Sequence, residues 1–307
     1  MGAVSSCPCM EGLSNWALAD EARAKPIKVA AAAVVRKGGN EAQGQHKIST
    51  IIRTELLPKQ GYISSVLIPR RGLQAWPKTL LLVRHGQSTY NVQYEQTKTD
   101  PMNLWDAPLT QMGEEQARAL QGRFADLVCP VELALTSPLT RAMQTGLLAM
   151  PVSSRVAAGR YEVSPLFAEH LEASCDIGRP PSELKADFPE MSFEGLEEVW
   201  WYVPQECQAG ISVEKSRKLF SEEGRREPPR TFEARVDAAA ASLAKRQEQV
   251  IAVFAHADFF NTLLRRHFAS RDASFNDYWM KNCEVLLVQV NAPEDLLSPP
   301  AAEIEAE

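Results

Sequence analysis

Short, wholly apolar runs, each separated from the next by an amphipathic stretch of helical length, constrain this chain more than any other feature. Leu80-Leu81-Leu82-Val83 has no polar alternation, and Met112 to Val128 follows it with Ala117, Leu120, Phe124 and Leu127 on one face at helical spacing. Val131 to Leu135 is a second run and leads into a helix through Leu148. A helix over Thr231 to Gln247 precedes a third run, Val250 to Phe254, and a helix over Asp258 to Phe268 precedes a last strand, Glu284 to Val290. Strands without a polar face are covered on both sides. The pattern therefore predicts an α/β fold, a three-layer αβα sandwich with a mainly parallel central sheet.

The helix ends carry their own signals. Thr110 is placed to cap the first of these helices, with Glu114 and Glu115 in its first turn to meet the helix dipole. Ser137-Pro138 reads as an N-cap followed by proline at the first helical position, and Asp258 as the cap of the helix after Phe254. Other readings of Asp258 are that it repels an anionic ligand or that it orients His256.

Charge divides the chain into parts. Residues 1–78 hold 11 Lys+Arg against 5 Asp+Glu, whereas the remainder holds 22 against 34. This reads as a basic N-terminal extension over 1–78, a main domain over 79–290 and an acidic tail over 291–307. An acidic body argues against nucleic acid as a partner, because binding a phosphate backbone needs a basic face. No apolar run approaches the roughly 18 to 20 residues of a spanning helix. The six cysteines, at 7, 9, 129, 175, 207 and 283, show no C-x-x-C spacing and no accompanying histidine cluster. Neither a zinc site nor a disulfide framework is expected, and reduced thiols point to the cytoplasm. Met1-Gly2-Ala3-Val4-Ser5-Ser6 fits the N-myristoylation pattern, with Cys7 and Cys9 where palmitoylation would follow. Acyl chains and a basic arm together would attach the protein peripherally to the cytoplasmic face of a membrane; an unmodified tail is the other reading.

In open α/β sheets ligands collect beyond the carboxyl ends of the strands. The first strand is followed by Arg84-His85-Gly86-Gln87-Ser88-Thr89 and then Asn91. The second is followed by Ser137-Pro138-Leu139-Thr140-Arg141, and the third by Ala255-His256-Ala257-Asp258. Two arginines and two histidines at one sheet edge make a cationic pocket suited to a phosphate dianion. Gly86 lets the backbone pass close to such a ligand.

These residues resemble a known family. R-H-G-Q-S, then S-P-L-x-R-A-x-Q-T over Ser137 to Thr145, then a late strand ending in A-H, are similar to the histidine phosphatase superfamily, also called phosphoglycerate mutase-like, over about residues 79 to 290. The resemblance implies a phosphoglycerate mutase-like fold and a phosphohistidine intermediate on His85. It implies that Arg84, Arg141 and His256 bind the phosphoryl oxygens, that Asn91 lines the same pocket, and that no metal or other cofactor takes part. In the family a carboxyl group after the next strand protonates the leaving group. In Pro165 to Leu171 this is Glu169, with Glu172 the second candidate, and burial or nearby negative charge must raise its pKa for that role. Glu169-His170-Leu171 through Cys175-Asp176 also resembles a subgroup carrying R-E-H-L-G-x-x-x-C-D, with Ala168 here for the arginine and Glu172 for the glycine.

The remaining candidates read more simply. His46 reads as solvent-exposed, His170 as a support for the Glu169 loop and His267 as a complement to a helix dipole. Trp200, Trp201 and Tyr202 read as lid or core packing, or as contacts for the organic part of a substrate. The expected activity is a metal-independent phosphomonoesterase acting on a phosphorylated small molecule or a phosphoprotein. The alternatives are a mutase-type phosphotransferase and a weakly active phospho-ligand-binding scaffold. Glycolytic mutases continue R-H-G-E-S-x-W-N into an F-x-G-W stretch, and Tyr90-Asn91-Val92-Gln93-Tyr94 does not match it.

Overall fold

The computed structural model describes residues 63–69, 78–125, 127, 130–151, 161–269 and 278–290. Gly2, Cys7, Cys9, His46 and the tail over 291–307 lie outside them. Among the described residues seven strands form one sheet: β1 (Ile63–Pro69), β2 (Lys78–Arg84), β3 (Leu133–Thr136), β4 (Tyr161–Val163), β5 (Val250–Ala255), β6 (Phe268–Ala269) and β7 (Val285–Val290). Their spatial order is β4-β3-β5-β2-β7-β1-β6.

The first four in that order run parallel, with β2 paired to β5 from Thr79 opposite Val250 to Arg84 opposite Ala255. β7 lies antiparallel to β2, β1 is parallel to β7, and β6 is antiparallel to β1. The expected mainly parallel sheet is thus present, with its antiparallel pairings on the β7 side. β1 comes from the segment ahead of residue 78 and adds that stretch to the sheet.

Helices cover both faces. They are α1 (Thr89–Thr97), α2 (Gln111–Ala125), α3 (Thr140–Ala149), α4 (Pro181–Asp187), α5 (Val213–Ser221), α6 (Pro229–Lys245) and α7 (Ala257–His267). Successive strand residues point to opposite sides, so one apolar run supplies two cores. Leu80, Leu82, Leu135, Ile251 and Val253 pack against Phe232, Val236 and Leu243 of α6 and Phe259 and Leu263 of α7. Leu81, Val83, Ala134, Ala252 and Phe254 turn the other way, onto Ala117, Leu120 and Phe124 of α2 and Met143 of α3. Each fully buried large apolar side chain contributes about 1.5–3 kcal/mol, which is why the runs carry no polar residue.

The helix starts separate local from tertiary signals. Thr110 caps α2 as expected: its Oγ1 accepts from Gly113 N–H at 3.0 Å and its carbonyl from Glu114 N–H at 2.9 Å. Ser137 does not cap α3. That helix starts at Thr140, whose N–H donates to Asp106 Oδ1 at 2.7 Å, so the cap comes from a distant loop. Nor does Asp258 cap α7. The N-cap residue is His256, and the Asp258 carboxylate instead meets His170 Nδ1 at 3.2 Å. No helix among the described residues is long and apolar enough to cross a membrane.

Candidate active site

The parallel strands deliver the basic residues to one edge. Arg84 ends β2 and His85 follows it; Ser137 follows β3 and Arg141 lies in the first turn of α3; His256 follows β5. The rings of His85 and His256 lie 5.2 Å apart, centroid to centroid. Arg84 is 6% exposed, His85 4%, Arg141 3% and His256 0%, so two guanidinium groups and two imidazoles share a largely dry site.

Hydrogen bonds set the state of each ring. His85 Nδ1 lies 2.6 Å from the Gly86 carbonyl oxygen, which only accepts, so Nδ1 carries the proton and Nε2 keeps its lone pair. Burial first, then the charges of Arg141 and Arg84, hold the His85 pKa well below the ordinary histidine value. Ser137 Oγ accepts from Leu139 N–H at 3.2 Å and lies 2.8 Å from His256 Nε2. The serine hydroxyl can donate to Nε2 or accept from it; where it donates, the His256 proton sits on Nδ1. That atom is buried and has no partner. Burial, then the charges of Arg141, His85 and Arg84, keep this ring neutral as well.

The arginines are held by backbone and carboxylate. Arg84 Nη1 donates to Met280 O at 2.6 Å, while its Nε is buried without an acceptor. Burial lowers its pKa to about 10, which still leaves it charged at neutral pH. Arg141 donates from Nη1 to Cys175 O at 2.7 Å and from Nη2 to Asp176 Oδ1 at 2.9 Å. A buried donor without an acceptor costs roughly 1–3 kcal/mol, a cost that an anion accepting from Arg84 Nε would remove.

Glu169 is brought to the same edge, as the loop reading required. Its Oε1 accepts from His170 N–H at 3.1 Å and Phe259 N–H at 3.0 Å, and its Oε2 from Asp258 N–H at 3.3 Å. The carboxyl group thus rests on the first turn of α7, directly after His256. Burial, followed by the charges of Asp258 and Asp176, raises its pKa to about 7 against the opposing pull of Arg141. Glu172, the second candidate, has a side chain 26% exposed and lies 3.7 Å from His170 Nδ1. Asn91 takes part in capping α1, where its Oδ1 accepts from Ser88 N–H at 3.0 Å and its own N–H donates to Ser88 Oγ at 3.2 Å. Asn282 Nδ2 lies 3.5 Å from that Oδ1 and donates to the His85 carbonyl at 3.0 Å, linking Asn91 to the His85 backbone.

The family model of the histidine phosphatase superfamily (branch 1) matches residues 80–295. The chain belongs to the histidine phosphatase superfamily. A phosphoglycerate mutase-like protein of Arabidopsis thaliana is 32% identical over 149 residues, covering 39% of this chain and 55% of the relative. A 2,3-bisphosphoglycerate-dependent phosphoglycerate mutase of Hyphomonas neptunium is 38% identical over 77 residues, 25% of this chain and 30% of the relative. The chain spans about half the length of the first of these relatives. The solved phosphoglycerate mutase of Bacillus anthracis aligns at 18% identity over 70% of this chain and 88% of its own, with a TM-score of 0.43.

Within this superfamily member, several residues shape the site without having been singled out from the sequence. Thr145 Oγ1 accepts from Gly86 N–H at 3.0 Å and donates to Arg141 O at 2.7 Å, tying the His85 loop to α3. It stands inside the S-P-L-x-R-A-x-Q-T motif, as Asp176 stands inside the C-D pair, so both had a local signal. Asp106 and Asn282 had none. Asp106 receives Thr140 N–H and Arg179 Nε, the latter at 2.9 Å. Gly86 and Gly113 are forced by close approach: a Cβ on Gly86 would lie 2.5 Å from Gly113 O, and one on Gly113 would lie 2.1 Å from Gln87 O.

The aromatic cluster packs. Trp201 is buried with its Nε1 donating to Ser216 Oγ at 3.2 Å, and Trp200 Nε1 donates to Arg179 O at 2.8 Å. Trp201 joins Leu171, Ile177 and Phe220 in a small core next to the Glu169 loop, with Trp200 and Tyr202 packed against it. His267 closes α7 and pairs with Asp237 at 2.8 Å.

Proposed function

We propose that this chain is a metal-independent phosphomonoesterase that passes a phosphoryl group through His85 to water, acting on a phosphorylated small molecule or a phosphoprotein. The observation that carries the reading is the His85 Nδ1 bond to the Gly86 carbonyl, which leaves an unprotonated Nε2 among buried cationic donors. In the first step Nε2 attacks phosphorus in line and the ester P–O bond breaks. Arg84, Arg141 and His256 Nδ1–H hold the equatorial oxygens, while Glu169 gives its proton to the leaving alkoxide. In the second step the Glu169 carboxylate takes a proton from water as that oxygen attacks phosphorus. The N–P bond breaks, inorganic phosphate leaves, and His85 and protonated Glu169 are restored. Arg84 and Arg141 supply the positive charge that a metal ion supplies elsewhere, and Gln87 and Tyr90 stand where the glycolytic mutases carry glutamate and tryptophan.

Hydrolysis of an aryl phosphate is expected to persist in EDTA, with rapid alkaline quenching trapping an acid-labile, base-stable phosphoprotein. Activity lost with the chelator and restored by added metal would overturn the metal-independent part. Absence of the trapped species under single turnover would overturn the phosphohistidine.

The pH dependence follows from the two pKa values. His85, held well below the ordinary histidine range, stays neutral through mildly acidic pH, whereas Glu169 is protonated only below about 7. For an alkyl phosphate, whose leaving group needs a proton, kcat/KM is expected to be highest below that value and to fall about tenfold per pH unit above it. In Glu169→Gln that basic limb should be absent; a limb that persists would assign it to another group.

A further inference from the structure

Resting on that reading, we infer that Arg235 and Glu227 are positioning residues that hold the Glu169 carboxyl at the leaving-group side of the site. Neither belongs to the phosphate pocket, and both sit behind the loop that carries the acid.

The Arg235 guanidinium uses all five of its N–H groups. Nη1 donates to Leu166 O at 3.3 Å and Ala168 O at 2.6 Å, and Nη2 to Glu169 O at 2.9 Å. Nε and Nη2 also form a fork on Glu227, at 3.1 Å to Oε1 and 2.8 Å to Oε2. Three carbonyls of the acid's own loop are thus gathered on one rigid plane carried by α6. Glu227, whose side chain is 3% exposed, also takes Leu171 N–H on Oε2 at 3.3 Å, fixing the chain just beyond the acid.

His170 closes the ring. Its Nε2 meets the Glu227 carbonyl at 2.8 Å and its Nδ1 the Asp258 carboxylate at 3.2 Å, while its ring stacks on Phe232 of α6 with centroids 4.2 Å apart. Both partners are acceptors, so both ring nitrogens donate. Burial opposes that charge, yet the bonds to Asp258 and the Glu227 carbonyl raise the His170 pKa to about 9. The Glu169 loop is therefore tied to α6 through Arg235 and to α7 through Asp258 and the N–H groups under its carboxylate. A carboxyl group gives its proton efficiently only when held within hydrogen-bond reach of the leaving oxygen. Only a planar five-donor fork satisfies three carbonyls and a carboxylate at once, and a lysine ammonium, with three donors on one atom, does not.

The test separates positioning from general stability through the leaving group. An alkyl alkoxide needs the Glu169 proton and a nitrophenolate does not. Because kcat/KM covers only the steps up to the phosphoenzyme, later hydrolysis does not enter. For Arg235→Lys, kcat/KM toward an alkyl phosphate is expected to fall by roughly 10–100-fold, and toward nitrophenyl phosphate by less than about threefold, as a loosened acid requires. Glu169→Gln should show the same selectivity with a larger loss.

Should Arg235→Lys not fold, as judged by circular dichroism, the same pair of measurements on Glu227→Gln decides, since that change keeps the volume and removes the charged half of the fork. Equal losses on both substrates, or none on either, would overturn the positioning role. A wild type inactive toward both esters would instead bring down the proposed phosphatase activity, and the role of the clamp with it.

Discussion

Replacing His85 with alanine is expected to lower phosphate-ester hydrolysis by about 10⁴-fold or more, the scale on which a covalent nucleophile is lost. The substitution removes the atom that forms the N–P bond, and no neighbour can replace it. His256 is the nearest imidazole among the described residues, at 5.2 Å between centroids, but its Nε2 is engaged with Ser137 Oγ at 2.8 Å. Arg84 and Arg141 keep their own partners at Met280, Cys175 and Asp176, so binding of inorganic phosphate should survive and the fold should persist. Steady-state assays with an aryl phosphate, phosphate binding by calorimetry and a thermal melt check all three. Hydrolysis that survives His85→Ala would remove this residue from the reaction.

The second large effect belongs to stability. Arg141 and Asp176 form an ion pair with side chains 3% and 5% exposed, and Asp176 Oδ2 also accepts from Ala173 N–H at 3.0 Å. Burial raises the Asp176 pKa while Arg141 opposes that rise, so the guanidinium is the compensation that keeps a buried carboxylate tolerable. Asp176→Ala removes the carboxylate hydrogen-bonded to the buried Arg141 guanidinium and is expected to destabilise the fold by about 3–5 kcal/mol. Activity should also fall, since the Arg141 fork loses the side-chain anchor that aims it. Urea unfolding of the variant against the wild type measures the first effect. A loss below about 1 kcal/mol, the scale of an exposed pair, would show that water reaches the pair.

Much of this was legible before any coordinates. Buried strands with no polar face, a helix capped by Thr110 and basic residues just past three strand ends are local patterns, and each led to the element found. Where local reading failed, a distant group had intervened. Ser137 has the chemistry of a cap, but its hydroxyl meets His256, which lies far along the chain and is brought alongside by the pairing of β3 with β5; Asp106 caps α3 in its place. Asp258 likewise has the chemistry of a cap and is drawn to His170.

The residue types that can clamp a phosphate, and their order along the chain, were determined by the sequence alone. So was the layered architecture, because a side-chain period of two with no polar residue leaves a strand nowhere to lie but between two helical layers. Which nitrogen of His85 carries the proton, that Glu169 comes to rest on the turn after His256, and that Arg235 closes on three carbonyls of the acid's loop were decided only by the tertiary structure. The reason is physical: protonation state and aim depend on burial and on hydrogen-bond partners far away along the chain, and neither quantity exists until the chain has folded.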